Sequence, residues 1–289
     1  MTAPFQNAPL PPLPATVSYL DKAARREKTS LATGGHVSWR VWGEGPLLVL
    51  LHGGHGSWLH WVKVIDAFSH THRVLVPDLP GFGESDSLPD NHAIEDSAAA
   101  VVSGLDLLAP GEPAQVIGFS FGGVVGGHVA RLLGTRLRHL TIVGSGGMGL
   151  TRPPVAALRQ WRGLPSDQLA AAHRENLSIL MIADEGRIGP EEIALQHRNT
   201  AQARGKSRSF SGTTTLIDVL RRARPPVDGI WGQQDATARG YLGERRAALA
   251  GIDPTSRLVE IPGAGHWVMQ EAPEAFLDAY GAIATARGF

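Results

Sequence analysis

Residues 114–122 read Ala114-Gln115-Val116-Ile117-Gly118-Phe119-Ser120-Phe121-Gly122, and Gly123 to Leu133 follow as a run of mostly small and aliphatic side chains. The first four residues predict a buried strand and the later run predicts a helix. Gly-x-Ser-x-Gly between a strand and a helix is the setting of a nucleophile elbow. In such a turn the chain passes very close to itself, which Gly118 and Gly122 permit because they carry no Cβ. Ser120 is lifted clear of the sheet, and the amide of Phe121, at the positive end of the helix, faces a developing oxyanion. A glycine-rich turn that merely contains a serine would show the same five residues, so the reading depends on partners elsewhere in the chain.

Outward from this stretch, the pattern alternates. Pro46 to Leu51 is a continuous apolar run, as expected of a strand buried on both faces of a parallel sheet. Arg73 to Pro77 predicts another such strand, and Leu137 to Val143 a third. Helices are expected over Trp58 to Phe68 and Ile94 to Leu108. Two β-prone segments between Lys28 and Trp42 flank Gly34-Gly35, a hairpin signal. Met1 to Pro14 holds five prolines and predicts an extended arm, drawn here over residues 1–20. The pattern changes after Gly149. Residues 151–224 contain no convincing strand and several helical runs, among them Ser166 to Ile182 (with Ser166 as a candidate N-cap) and Pro190 to Lys206. Strands resume at Val227 to Gly232 and Arg257 to Ile261. The expected class is α/β: a doubly wound, mostly parallel sheet with an inserted helical cap. The core occupies residues 1–149 and 225–289, and the cap residues 150–224. Residues 151–224 hold 12 Lys and Arg against 7 Asp and Glu, a net +5 over the carboxyl ends of the strands. That charge suits either a solvated face or an anionic substrate.

A serine hydroxyl needs a base, and the base needs an orienting carboxylate. An elbow of this kind takes them in the order Ser, acid, His. Asp235 lies just past a late strand, in Trp231-Gly232-Gln233-Gln234-Asp235, and His266 lies beyond the last strand, in Gly263-Ala264-Gly265-His266-Trp267. Asp228 and Asp253 compete for the acid's place. The second oxyanion amide belongs in the loop His52-Gly53-Gly54 and is assigned to Gly54, with Gly53 as the neighbouring alternative. His52 is expected to brace that loop, and His55 is a candidate substrate contact.

These features together resemble the α/β-hydrolase fold family over nearly the whole chain from about Lys28, and Asp78-Leu79-Pro80-Gly81-Phe82-Gly83-Glu84-Ser85 strengthens the match. The cap resembles that of the meta-cleavage-product hydrolases, which cut a carbon–carbon bond in dienoates. In that group a cap helix supplies an arginine for the substrate's carboxylate. Glu191 to Arg198 resembles that helix and implies the role for Arg198, which shares a face with Leu195 and Gln202. The resemblance also implies that Trp267 lines the pocket, and that Phe119 and His60, standing where that group usually has Asn, contact substrate.

The implied activity is hydrolysis of a carboxylic ester or lactone through an acyl-enzyme. The alternatives are C–C cleavage of a meta-cleavage-type dienoate and, in another class, a ligand receptor with negligible turnover. The expected partner is a small molecule, anionic if the cap charge is used. Lys+Arg and Asp+Glu are both 27, so bulk charge favours neither nucleic acid nor a membrane surface. A homodimer is compatible with the sequence. There is no cysteine, which excludes thiolate chemistry and disulfides. No cofactor or metal is expected. Gly144-x-Gly146-x-x-Gly149 formally matches a dinucleotide fingerprint, but Thr151-Arg152-Pro153-Pro154 follows instead of a helix, so it reads as the hinge into the cap. The histidines at 52, 55, 60, 70 and 72 lack a metal-ligand pattern. With no signal-peptide features and no apolar run of the roughly 18 residues a span needs, the chain reads as soluble and cytoplasmic.

Overall fold

Buried β-branched and leucine runs form the centre of an eight-stranded sheet in the order β1-β2-β4-β3-β5-β6-β7-β8. The strands are β1 Arg25–Ser30, β2 His36–Trp42, β3 Leu47–Leu51, β4 Arg73–Pro77, β5 Ala114–Phe119, β6 Leu137–Val143, β7 Val227–Gly232 and β8 Leu258–Ile261. This computed structural model describes residues 12–205 and 207–289. β1 and β2 form the antiparallel hairpin that Gly34-Gly35 predicts, β2 runs antiparallel to β4, and the strands from β4 through β8 are parallel. Every residue of β3, β5 and β7 is buried, because helices cover both faces. One apolar layer joins Val124, Val125 and Val129 to Val101 and Leu105; the other joins Trp61 and Phe68 to Phe276 and Ile283. Among the described residues no helix is long and apolar enough to cross a membrane.

Several boundaries differ from expectation, each for a local reason. Residues 1–11 of the expected arm lie outside the described residues. The arm does not extend to 20, because Ala15–Ala23 is a helix that buries Val17 and Leu20. The Trp42 indole donates to the Leu20 carbonyl at 2.9 Å. The expected helix over 58–68 becomes a 3₁₀ turn, Trp58–Trp61, and a short helix, Ile65–Ser69. Trp58, Leu59, His60 and Trp61 are all buried, which a one-sided surface helix could not achieve. In the cap, Ser166 is the first residue of the helix Ser166–Leu180 and Pro165 takes the capping position. The next helix ends at Ala201, five residues early. There the Gly81 carbonyl accepts the amides of Arg204 and Gly205, both at 2.8 Å, and diverts the chain onto the 78–85 turn. The helix Thr215–Ala223 packs Leu216, Val219 and Leu220 beside Val124 and Val129 in the core layer.

Candidate active site

The elbow forms at the carboxyl end of β5. Ser120 has φ +51° and ψ −110°, a conformation L residues rarely adopt. Its amide donates to the Val143 carbonyl at 2.8 Å. A Cβ on Gly118 would lie 2.4 Å from the Gly122 carbonyl oxygen, and one on Gly122 would lie 2.1 Å from that of Leu51. Neither distance is sterically tolerable, so both glycines are required by close approach rather than by flexibility. The helix Phe121–Leu133 begins immediately afterwards.

The loops after β7 and β8 bring the other two residues to this turn. The Ser120 hydroxyl donates to His266 Nε2 at 3.0 Å, and His266 Nδ1 donates to Asp235 Oδ2 at 2.8 Å. Asp235 is fully buried. Burial alone would raise its pKa; the adjacent His266, with the Thr237 amide and hydroxyl donating to Oδ1 at 2.7 and 2.8 Å, brings it below the usual carboxylate value. The competing acids are engaged elsewhere: Asp228 with His139 and Arg287, Asp253 with Thr255 and Arg287.

The loop after β3 faces the same point. His52 Nδ1 donates to the Gly53 carbonyl at 2.8 Å, while its Nε2 accepts the Leu79 amide at 2.8 Å; burial keeps the ring's pKa below the ordinary value. The Gly53 amide donates to His60 Nδ1 at 3.1 Å and so is already used. The Gly54 and Phe121 amides have no acceptor among the described residues, and both residues line the cavity above Ser120. That cavity has a volume of about 430 Å³.

The expected substrate contacts divide. Phe119, His60 and His55 line the cavity, His55 with φ +53°. Trp267 does not: it is fully buried, its indole donates to the His60 carbonyl at 2.8 Å, and its ring packs against that of His60. Arg198 does not either. The cap helix presents Gln196 and Thr200 to the cavity, and a residue two positions from each lies about 200° round the helix, on the opposite side. Among the described residues, the arginines of the cavity wall are Arg152, Arg159 and Arg162. They belong to the irregular strap of residues 150–164, for which no helical or strand period exists in the sequence; only the cap's net charge signalled them. Arg152 donates to the Ser211 carbonyl at 3.1 Å, Arg159 pairs with Glu175 at 3.2 Å, and Arg162 stacks on Trp161 at 4.7 Å. Thr237 belongs to no motif of the sequence, although a hydroxyl two residues after a loop Asp is a common side-chain turn partner. Among the described residues no cluster of three or more metal-ligating side chains occurs.

A sheet with a serine at the elbow after β5 and an acid and a histidine after β7 and β8 defines a hydrolase of the α/β class. The chain belongs to the alpha/beta hydrolase family, whose model matches residues 48–279, and is an enzyme of that family. Pimeloyl-[acyl-carrier protein] methyl ester esterase of Vibrio campbellii is 31% identical to it over 195 residues, 68% of either chain. A 2-hydroxy-6-oxononadienedioate/2-hydroxy-6-oxononatrienedioate hydrolase of Paraburkholderia phymatum is 27% identical over 245 residues, 79% of this chain and 83% of the relative. Among solved structures, a meta-cleavage product hydrolase (CumD) superposes with a TM-score of 0.68 at 21% identity, covering 88% of this chain and 96% of that one.

Proposed function

We propose that the protein is a serine hydrolase that cleaves a carboxylic ester or lactone bearing an anionic group, by way of an acyl-enzyme on Ser120. The observation that carries this reading is the unbroken hydrogen-bond line Ser120–His266–Asp235, at 3.0 and 2.8 Å, beneath a cavity. Ser120 Oγ attacks the carbonyl carbon as its proton passes to His266 Nε2. The carbonyl oxygen becomes an oxyanion between the Gly54 and Phe121 amides, and Asp235 stabilises the imidazolium. The C–O bond of the ester then breaks, and the alkoxide leaves with the proton from His266. Water, deprotonated by His266, attacks the acyl carbon; the Ser120 bond breaks and the carboxylic acid departs with Ser120 protonated again. Arg152, Arg159 and Arg162 on the cap wall support an anionic substrate. The role given to Arg198 in the sequence reading passes to these three.

A second reading, hydrolysis of a C–C bond in a dienoate, is favoured by the relative matched over 245 residues, which is named as a dienedioate hydrolase. One panel separates the readings: p-nitrophenyl esters of neutral and carboxylate-bearing acids, lactones, and a meta-cleavage dienoate. Steady ester or lactone turnover with an inert dienoate supports the first reading, and the reverse supports the second. A single burst without steady turnover points to a receptor and defeats both.

A further inference from the structure

We propose that His60 is a positioning residue that clamps the oxyanion loop, through the Gly53 amide, to the loops of the nucleophile and the base. This rests on the serine-hydrolase reading above and goes beyond it. His60 is 1% exposed and touches a chain neighbour of each proposed reacting group. Its Nδ1 accepts the amide of Gly53, next to Gly54, at 3.1 Å. Its ring stands edge-on to Phe119, next to Ser120, with centroids 5.3 Å apart and planes at 81°. Its ring and carbonyl hold Trp267, next to His266, with centroids 5.0 Å apart and a 2.8 Å indole hydrogen bond.

The need for such a clamp follows from peptide geometry. In a trans peptide the C=O and N–H point in opposite directions, so the aim of the Gly54 N–H is set by the Gly53 C=O. His52 fixes that carbonyl, while His60 fixes the N–H on the other side of the Gly53 Cα. Glycine has the widest choice of φ and ψ, and here each of the two peptide units flanking it is held by one imidazole. Preorganised donors act because they need no reorientation when charge develops. The clamp is itself confined: a Cβ on Gly56 would come 2.1 Å from His60 Cε1 and 2.3 Å from Nδ1. With Nδ1 accepting, the ring proton sits on Nε2. Burial, and then the neighbouring His52, His266 and His55, push the ring's pKa well below the ordinary value, so Nδ1 stays an acceptor.

Two polar isosteres test the idea. The side-chain oxygen of His60→Asn can stand where Nδ1 stands, whereas the longer His60→Gln carries its amide toward the Nε2 position and leaves the Gly53 amide unpaired. His60→Gln should lower kcat about 10- to 100-fold with little change in KM, short of the roughly 10²- to 10³-fold that losing a whole oxyanion donor costs. Affinity for a trifluoromethyl ketone, whose Ser120 adduct places an oxyanion in the hole, should fall in parallel. His60→Asn should recover most of both losses. His60→Leu should behave like His60→Gln; if it does not fold, the Asn–Gln contrast decides alone. Equal rates for Asn and Gln, a loss confined to KM, or unchanged kcat in all variants would overturn the clamp while leaving the triad standing. Failure of a fluorophosphonate to label Ser120 in the wild-type protein would instead remove the reading beneath it.

Discussion

The two walls of the cavity are built in opposite ways. Beneath the substrate space, Ser120, His266 and Asp235 lie just beyond strand ends, each held by at least two hydrogen bonds, with His266 and Asp235 buried and Ser120 partly exposed to the cavity. Above it, Arg152 and Arg159 lie on an exposed, irregular strap: Arg152 is fixed by one hydrogen bond to the Ser211 carbonyl, and Arg159 by its pair with Glu175 and two backbone hydrogen bonds with Asn176. A strand end fixes position to a fraction of an ångström because the whole sheet defines it. A strap can change without disturbing that geometry. Reaction and selectivity should therefore separate: damage below should fall on every substrate alike, and damage above should sort substrates by charge.

Ser120→Ala is the severest test of the lower wall. It should cost about 10⁶-fold in kcat on every substrate, with an unchanged fold. Asp235→Asn should cost about 10⁴-fold, again without regard to substrate, because the imidazole loses its orienting acceptor. If either loss differed strongly between neutral and anionic esters, the two walls would not be separable as described.

On the upper wall, Arg159→Ala combined with Arg162→Ala should reduce kcat/KM for a carboxylate-bearing ester by about 10- to 150-fold, the value of a charged hydrogen bond of roughly 1.5–3 kcal/mol. A neutral ester of similar size should be nearly unaffected. Arg198→Ala should leave both rates where they are, and a selective loss there would restore the helix arginine to the role. Measuring the two esters on the same variant preparations settles which arginines face the substrate.

The smallest effect concerns the cap itself. His173 is fully buried, stacked on His197 with ring centroids 5.1 Å apart, and neither ring nitrogen has a partner among the described residues. Burial, followed by the neighbouring His197, lowers its pKa to about 4. In the unfolded chain it would titrate near the ordinary value of about 6.5. As pH falls between those values the unfolded state takes up a proton that the folded state refuses, so stability declines across that window. His197, lowered by burial, acts in the same direction. His173→Phe should therefore show a smaller drop in Tm between pH 7 and pH 5 than the wild type; an equal drop would mean that the ring is already charged in the fold.

What the sequence revealed follows the same division. The elbow, the order of its partners and the strand ends that carry them were legible, because close approach demands glycine and because buried parallel strands are continuous apolar runs. Orientation was not legible where several faces are equivalent. Helical period groups Arg198 with Leu195 but cannot say which face meets the cavity, and docking turned Gln196 and Thr200 inward instead. Adjacency to His266 could not show that the Trp267 ring turns away from the substrate space and onto His60. The early end at Ala201 depended on Gly81, more than a hundred residues away in the chain, whose carbonyl no local propensity registers. The strap has no period at all, so its arginines were visible only as net charge.

Ser120 is proposed as the nucleophile, with His266 as its base and Asp235 as the orienting acid. The most direct measurement is to treat the protein with a fluorophosphonate and locate the adduct by peptide mass mapping. One adduct, on the peptide carrying Ser120, lost in Ser120→Ala and formed far more slowly in His266→Ala, is the predicted result. Labelling at another residue, or steady ester turnover by a protein whose Ser120 remains unmodified, would contradict the account.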